Sequence, residues 1–298
     1  MEKKPNFTAH ILKPSIKKKK YDPDDYRFKD ERESFRVKKV DSIKEQQYDI
    51  DNCHNCEYYI FDITANLYID DCSHCTIFVA PCESSIFVRN CKHMNIVAVT
   101  GQFRTYECHD CSFSLYCKSQ PVIESSSNLR FTSFHAPVYP QLPQQLAKKR
   151  FHPWNNHWSE IHNFTKKPGE THFTLHRELE LVLDWGRAFN EADLMVSEEP
   201  NPVPFIQGDL PYESTREVLL LAPVETSDSE IREAVAGAVI MQGFQGKGTG
   251  KVEKKILLLD APNIDPESLS HLGEVVTETA EVEAGKAQWF VKFGDKRE

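Results

Sequence analysis

Between Asp51 and His135 the chain repeats itself. DNCHNC begins at Asp51, DDCSHC at Asp70, RNCKHM at Arg89 and YECHDC at Tyr106, so the leading cysteines Cys53, Cys72, Cys91 and Cys108 stand 19, 19 and 17 residues apart. Short alternating apolar stretches follow the motifs: Tyr59 and Phe61, Ile77 and Val79, Ile96 and Ala98. A period near 19 is about the length of one rung of a parallel β-helix. Strands this short cannot bury an inner face alone, whereas stacked rungs place the same small residue at the same corner and build one continuous core. The expected fold is mainly β: a right-handed parallel β-helix, followed by a small α/β unit.

The cysteines admit two readings. Cys53, Cys56, Cys72 and Cys75 have the spacing of a four-thiolate zinc site. The same pair then recurs with Met94 in the second place after Cys91, and again at Cys108 and Cys111. Methionine is a poor zinc ligand but an acceptable core residue, and a free cysteine behaves as a small buried hydrophobe. A ladder of inward thiols accounts for all four rungs and zinc for two, so no metal is expected. Disulfides are not expected in a reducing compartment.

The 298 residues suit about two domains, and the 40% hydrophobic content can bury a sizeable core. No apolar run approaches the roughly 18 residues of a membrane helix, and MEKKPNFTAH lacks the apolar core of a secretory signal, which predicts a soluble cytoplasmic protein. Glu at position 2 gives no N-terminal myristoylation site. The net charge of −9 argues against nucleic-acid binding. The arm that holds Lys17 to Lys20 is basic, which reads as a solvated, partly disordered tail or a peripheral contact with anionic lipid.

These patterns divide the chain into a basic arm over 1–40, the β-helix with an aromatic cap over 41–165, a connecting segment over 166–215 and an α/β domain over 216–298. Within the arm, KYDPDDYRFKDERESF is too polar for a core element and is expected to lie outside the mouth of the helix as extended chain. The Pro- and aromatic-rich stretch over 136–165, with FHPWNNHWSEIHNF, is expected to cap the last rung. HFTLHRELELVLDW fits one amphipathic helix or two strands. VLLLAP at Val218 and KILLLDAP at Lys255 read as buried strands. Ser227 and Glu230 form a capping box for a helix facing Ile231, Val235, Ala238 and Val239. EVVTETAEVE turns through Gly285 into WFVKF as a hairpin. GKGTGK at Gly246 lacks the full Walker spacing and reads as a Gly-rich turn.

One rung departs from the pattern. It ends in GQFR, where Phe103 points inward and Gln102 and Arg104 therefore share the outer side. Glu124 follows one period later. From periodicity alone this is either an exposed ion pair worth well under about 1 kcal/mol or a functional cluster.

IFD at Ile60, IDDC at Ile69, SSIF at Ser84, RNC at Arg89, QFR at Gln102 and QPVIESSSN at Gln120 resemble the tubulin-binding cofactor C domain family, and DPDDYRF at Asp22 and WNNHWSEIHNF at Trp154 extend the resemblance over about residues 20 to 165. It points to the branch that carries a C-terminal α/β domain, ferredoxin-like and related in fold to nucleoside diphosphate kinase. The resemblance implies a GTPase-activating protein that lends catalytic groups in trans, needs no cofactor and acts on a GTP-bound Arf-like small GTPase. Arg104 would be the arginine finger, Gln102 the adjoining catalytic-site residue, Glu124 the acid that helps hold the site, and Phe164 a partner-binding aromatic. The setting it implies is trafficking of lipidated cargo at a ciliary or flagellar base. Tubulin as the partner, or a non-catalytic scaffold that binds a GTPase, are the competing readings.

Overall fold

The computed structural model describes residues 23–246 and 252–290. The lysine run of the arm, all of GKGTGK but its first glycine, and the chain beyond Phe290 lie outside them. Among the described residues no helix is long and apolar enough to cross a membrane.

The repeat forms a parallel β-coil of about six rungs. β1 (Arg27–Lys29) and β2 (Phe35–Lys38) pair with β3 (Tyr48–Asp51) and β4 (Glu57–Ile60). β5 (Leu67–Asp70) follows, then two long strands, β6 (Thr76–Arg89) and β7 (Asn95–Tyr106), which bend and serve two walls at once. β8 (Ser112–Cys117), β9 (Val122–Glu124) and β10 (Leu129–Ser133) continue the walls, and β11 (His162–Asn163) and β12 (Phe173–Leu175) close them. The front wall runs β1, β3, β5, the later halves of β6 and β7, β9 and β11. The back wall runs β2, β4, the earlier halves of β6 and β7, β8, β10 and β12.

The cysteine motif is a double corner. The residue before each inward position has positive φ: Asn52 and Asn55, Asp71 and His74, Asn90 and His93, Glu107 and Asp110. Asn, Asp and His tolerate this left-handed region better than other non-glycine residues. Each of these amides also donates to the following rung, as Asn52 to the Asp70 carbonyl at 3.0 Å and His74 to that of Lys92 at 3.0 Å, so the left-handed residues tie one rung to the next. The cysteines lie inside with Met94, essentially inaccessible. Their thiols donate to the carbonyl two residues back, Cys72 to Asp70 at 3.1 Å and Cys91 to Arg89 at 3.1 Å. Burial pushes the thiols of Cys75 and Cys111 up to about 12.

Three sequence readings change here. The polar stretch before the repeat is not external chain: residues 27–38 are the first rung, with Phe28 stacked on Tyr58 at 4.5 Å and Asp30 and Glu33 in the left-handed corners. It escaped notice because Glu31 and Ser34 stand where later rungs carry cysteine. Tyr59 and Phe61 are one residue out of register, since Tyr58 pairs with Ile77 and Ile60 with Val79. Tyr58 and Ile60 therefore face the inside, and Tyr59, Phe61, Phe78, Val97 and Val99 form a second apolar layer outside the back wall. That layer is covered by the chain after the repeat: Phe134, Tyr139, Phe151, α1 (Leu142–Lys148) and α2 (Trp185–Ala192), with Gln145 donating to the Phe61 carbonyl at 2.8 Å. Finally, the aromatic segment is only partly a cap. Trp158 enters the inner core, whereas Trp154 is buried in the core of the C-terminal unit.

HFTLHRELELVLDW is neither one helix nor two strands. It gives β12, then irregular chain up to Asp184, whose carboxylate caps α2 through the Arg187 amide at 3.0 Å. Beyond it, β13 (Glu217–Pro223), α3 (Asp228–Ala234), β14 (Val239–Gly246), β15 (Lys254–Asp260), β16 (Glu274–Val276) and α4 (Thr279–Trp289) build an antiparallel sheet of order β14-β15-β13-β16. α3 ends before Val239, which opens the unexpected strand β14, and Ser227 makes no capping bond. The expected hairpin is a short strand and a helix. Gly285 lies in that helix against Leu219, where a Cβ would run into the leucine methyl, so glycine lets α4 press against the sheet. The C-terminal unit is bonded to the chain before it: Gln207 donates to the Ile240 carbonyl at 2.8 Å, Gly208 to that of Met241 at 2.9 Å, and Trp154 Nε1 to Asp228 at 2.8 Å.

At the bend of β7 a Cβ on Gly101 would lie 2.5 Å from the Ser84 carbonyl oxygen and 2.6 Å from that of Glu83. Gly101→Ala is therefore expected to destabilise the chain by about 1–3 kcal/mol and displace the strand that carries Arg104; an unchanged denaturation midpoint would show that the bend relaxes freely. A thiol reagent at pH 8 should leave the native cysteines unmodified and label all nine after unfolding. Rapid labelling of the folded chain would contradict the buried ladder.

Candidate functional site

The front wall alternates cleanly. Phe28, Ile50, Ile69, Val88, Thr105 and Ile123 point inward and are buried, and the residues between them face out. Parallel register sorts the outward residues into two columns. One runs Arg27, Asp49, Tyr68, Phe87, Arg104, Val122, His162, and the other Lys29, Asp51, Asp70, Arg89, Tyr106, Glu124. The chain leaving β11 places Phe164 beside the second column, its amide donating to the Ile123 carbonyl at 3.0 Å.

Arg104, Tyr106, Glu124 and Phe164 share a hollow of about 170 Å³ with Phe87, Arg89, Thr105 and Val122. The structure thus brings together Arg104, Glu124 and Phe164. Glu124 is not directly beside Arg104: its cross-strand partner is Tyr106, and Arg104 faces Val122, so the two charged groups are diagonal neighbours. The count of one period places Glu124 two residues along the strand from its true relation because this rung is shorter than 20 residues. Gln102 lies beside Ser85 at the bend end of the strand, its amide oxygen 3.5 Å from the Ser85 hydroxyl.

The charges of this wall are mostly spent on one another. Arg27 pairs with Asp24, Lys29 with Asp51 at 2.8 Å, and Arg89 with both oxygens of Asp70 at 2.7 and 2.6 Å. Arg104 stands apart: among the described residues, Gln102 and Glu124 included, its guanidinium makes no hydrogen bond or ion pair. It is exposed, mounted on a strand bonded on both sides, and has Phe87 and Val122 as its cross-strand neighbours. Phe164 is 63% exposed and held edge-on to His162 at 4.5 Å, and Tyr106 is 41% exposed. Hydrogen bonding to Glu107, with the nearby Glu107 and Glu124 charges, holds the Tyr106 phenol above its ordinary range.

Such a set is suited to lending charge outward. A guanidinium offers five N–H donors in a fixed fork, a carboxylate and a carboxamide stand near it, and exposed aromatics frame it as anchors of an interface do. Tyr106, Phe87 and Arg89 were not singled out from the sequence. The signal for Phe87 and Arg89 was present, since they precede Arg104 and Tyr106 by 17 residues in the repeat.

Residues 45–164 match the family model of tubulin binding cofactor C. Protein XRP2 of Xenopus laevis is 49% identical over 159 residues, which cover 53% of this chain and 45% of that protein. Protein XRP2 of Homo sapiens is 46% identical over 168 residues, 56% of this chain and 48% of that one, and the Danio rerio protein of the same name is 42% identical over 168 residues, 56% and 44%. The chain is thus aligned with about half the length of the curated relatives it matches. The rungs that carry Gln102, Arg104 and Glu124, with the segment that ends at Phe164, fall within the stretch that matches the tubulin binding cofactor C model.

Proposed function

We propose that this chain is a GTPase-activating protein for an Arf-like small GTPase and that Arg104 is its arginine finger. The observation that carries the proposal is the unpaired guanidinium of Arg104 on a wall whose other described cations, Arg27, Lys29 and Arg89, are each engaged by a carboxylate. An unpaired arginine on a rigid strand is poised to meet charge supplied by another molecule. The resemblance of its surroundings to the cofactor C domain family gives that molecule a class, a GTPase in its GTP-bound form.

Hydrolysis of GTP spreads negative charge over the γ-phosphoryl oxygens and the β–γ bridge, and a slow GTPase lacks a cation aimed there. An arginine supplied in trans stabilises that charge and is worth about 10³- to 10⁵-fold in rate. In this reading Phe164 and Tyr106 seat the partner and exclude water, Arg104 enters the nucleotide site, and Gln102 and Glu124 accept from the guanidinium once docking draws it into place. The exposed front wall supports this division, because among the described residues no segment covers it while helices cover the back. The proposed setting is cytoplasmic, at the base of a cilium or flagellum, with membrane contact no more than peripheral. Tubulin is the alternative partner, favoured by the family description.

Stimulated hydrolysis measured with Arf-like GTPases and with tubulin separates the two. Arg104→Ala should abolish stimulation, with affinity for the GTP-bound partner only modestly changed, because the finger acts in the transition state. Arg104→Lys should fail largely as well, a point charge being unable to make the forked contact. Phe164→Ala, at an exposed position, should leave the melting temperature unchanged and weaken binding more than turnover at saturation. An Arg104→Ala protein that is folded and still stimulates would leave a binding scaffold as the better account.

A further inference from the structure

We propose that Asp70 is a positioning residue that holds Arg89 away from Glu124 and so reserves that carboxylate for Arg104. The inference rests on the reading of Arg104 as a finger. Two arginines, Arg89 and Arg104, share one hollow with a single unpaired carboxylate, Glu124. Register puts Arg89 beside Tyr106 and Tyr106 beside Glu124, so Arg89 and Glu124 are two strands apart in a straight column, about 9–10 Å between backbones. Arg104 is one strand from Glu124 and two residues along. Extended side chains span either gap, so a free Arg89 would compete for Glu124 and would also set a second positive charge near the finger.

Three contacts prevent this. Arg89 donates through Nε and Nη2 to the two oxygens of Asp70 at 2.7 and 2.6 Å, the bidentate geometry that fixes a guanidinium in direction as well as place. Its guanidinium carbon lies 5.5 Å from the centre of the Tyr68 ring. Tyr68 in turn stacks on Phe87 at 5.0 Å with the rings 7° from parallel, and Phe87 faces Arg104 across the strands. The clamp therefore pulls Arg89 toward the earlier rungs, and Glu124 stays open on the side from which Arg104 approaches it.

The test is stimulated GTP hydrolysis by the full chain acting on a GTP-loaded Arf-like GTPase, with kcat and KM measured separately. Asp70→Asn frees Arg89 and should lower kcat about tenfold while KM stays within about twofold, as expected for a lost orienting bond that matters in the transition state. Asp70→Asn combined with Arg89→Gln removes the competitor and should return kcat to within about threefold of the original, an outcome that a folding defect at Asp70 would not give. Arg89→Gln alone should remain near the original. An unaffected Asp70→Asn protein, a double variant as slow as Asp70→Asn, or a slow Arg89→Gln would overturn the clamp. Arg104→Ala measured beside them separates the two claims: its loss of stimulation leaves the finger standing when the clamp falls, and its retained stimulation overturns both.

Discussion

Everything in this molecule depends on the double corner that returns the chain once per rung. A left-handed residue ahead of each inward side chain sharpens the bend, and the strain is offset because its amide donates to the next rung, as Asn90 to the Tyr106 carbonyl and Asp110 to that of Ser127. The corner fixes where each strand starts. Register then passes from rung to rung, and with side chains alternating strictly across the strand, it decides which residues face the core and which face out. Arg104 is exposed because Phe103 is buried, and Phe103 is buried because Ile86 and Phe113 are its neighbours inside.

The two walls of the coil meet different fates for a reason visible in composition. The back wall is apolar on both sides, so its outer layer of Tyr59, Phe61, Phe78 and Val97 has to be covered, and the chain after the repeat returns to do so. The front wall is apolar only within. Its outer columns carry charges of both signs and a few aromatics, tolerate water and are covered by no described segment. A protein built this way has one broad strand surface for a partner, held by parallel pairing on both sides of each inner strand. Rigidity of that kind fixes the backbone that carries Arg104, so that docking has only its side chain to draw into place.

Much of this was legible in the sequence. The spacing of Cys53, Cys72, Cys91 and Cys108 announced the coil, and the alternation around Phe103 announced the outward pair Gln102 and Arg104. The first rung was hidden because Glu31 and Ser34 occupy the cysteine positions and the rung is longer by the loop that holds Ile43. The one-residue error at Tyr59 arose because the back wall is apolar on both faces, which removes the contrast that normally fixes register. The repeat sets Asp70 and Arg89 one period apart at the heads of successive motifs, whereas the diagonal placement of Glu124 and the burial of Trp154 in the other core follow from three-dimensional neighbours that no local pattern records. Gly285 reads as a turn in sequence and is a packing contact in space.

The central claim is that Arg104 acts on the transition state of another protein's GTP hydrolysis rather than on its ground state. The most direct measurement is binding to an Arf-like GTPase loaded with GDP and aluminium fluoride, which mimics the transferring phosphoryl group, compared with binding to the same GTPase holding a non-hydrolysable GTP analogue. The account predicts that the original chain binds the aluminium fluoride form far more tightly than Arg104→Ala does, while the two proteins bind the analogue form nearly alike. Equal affinity of the two proteins for the aluminium fluoride form would contradict it.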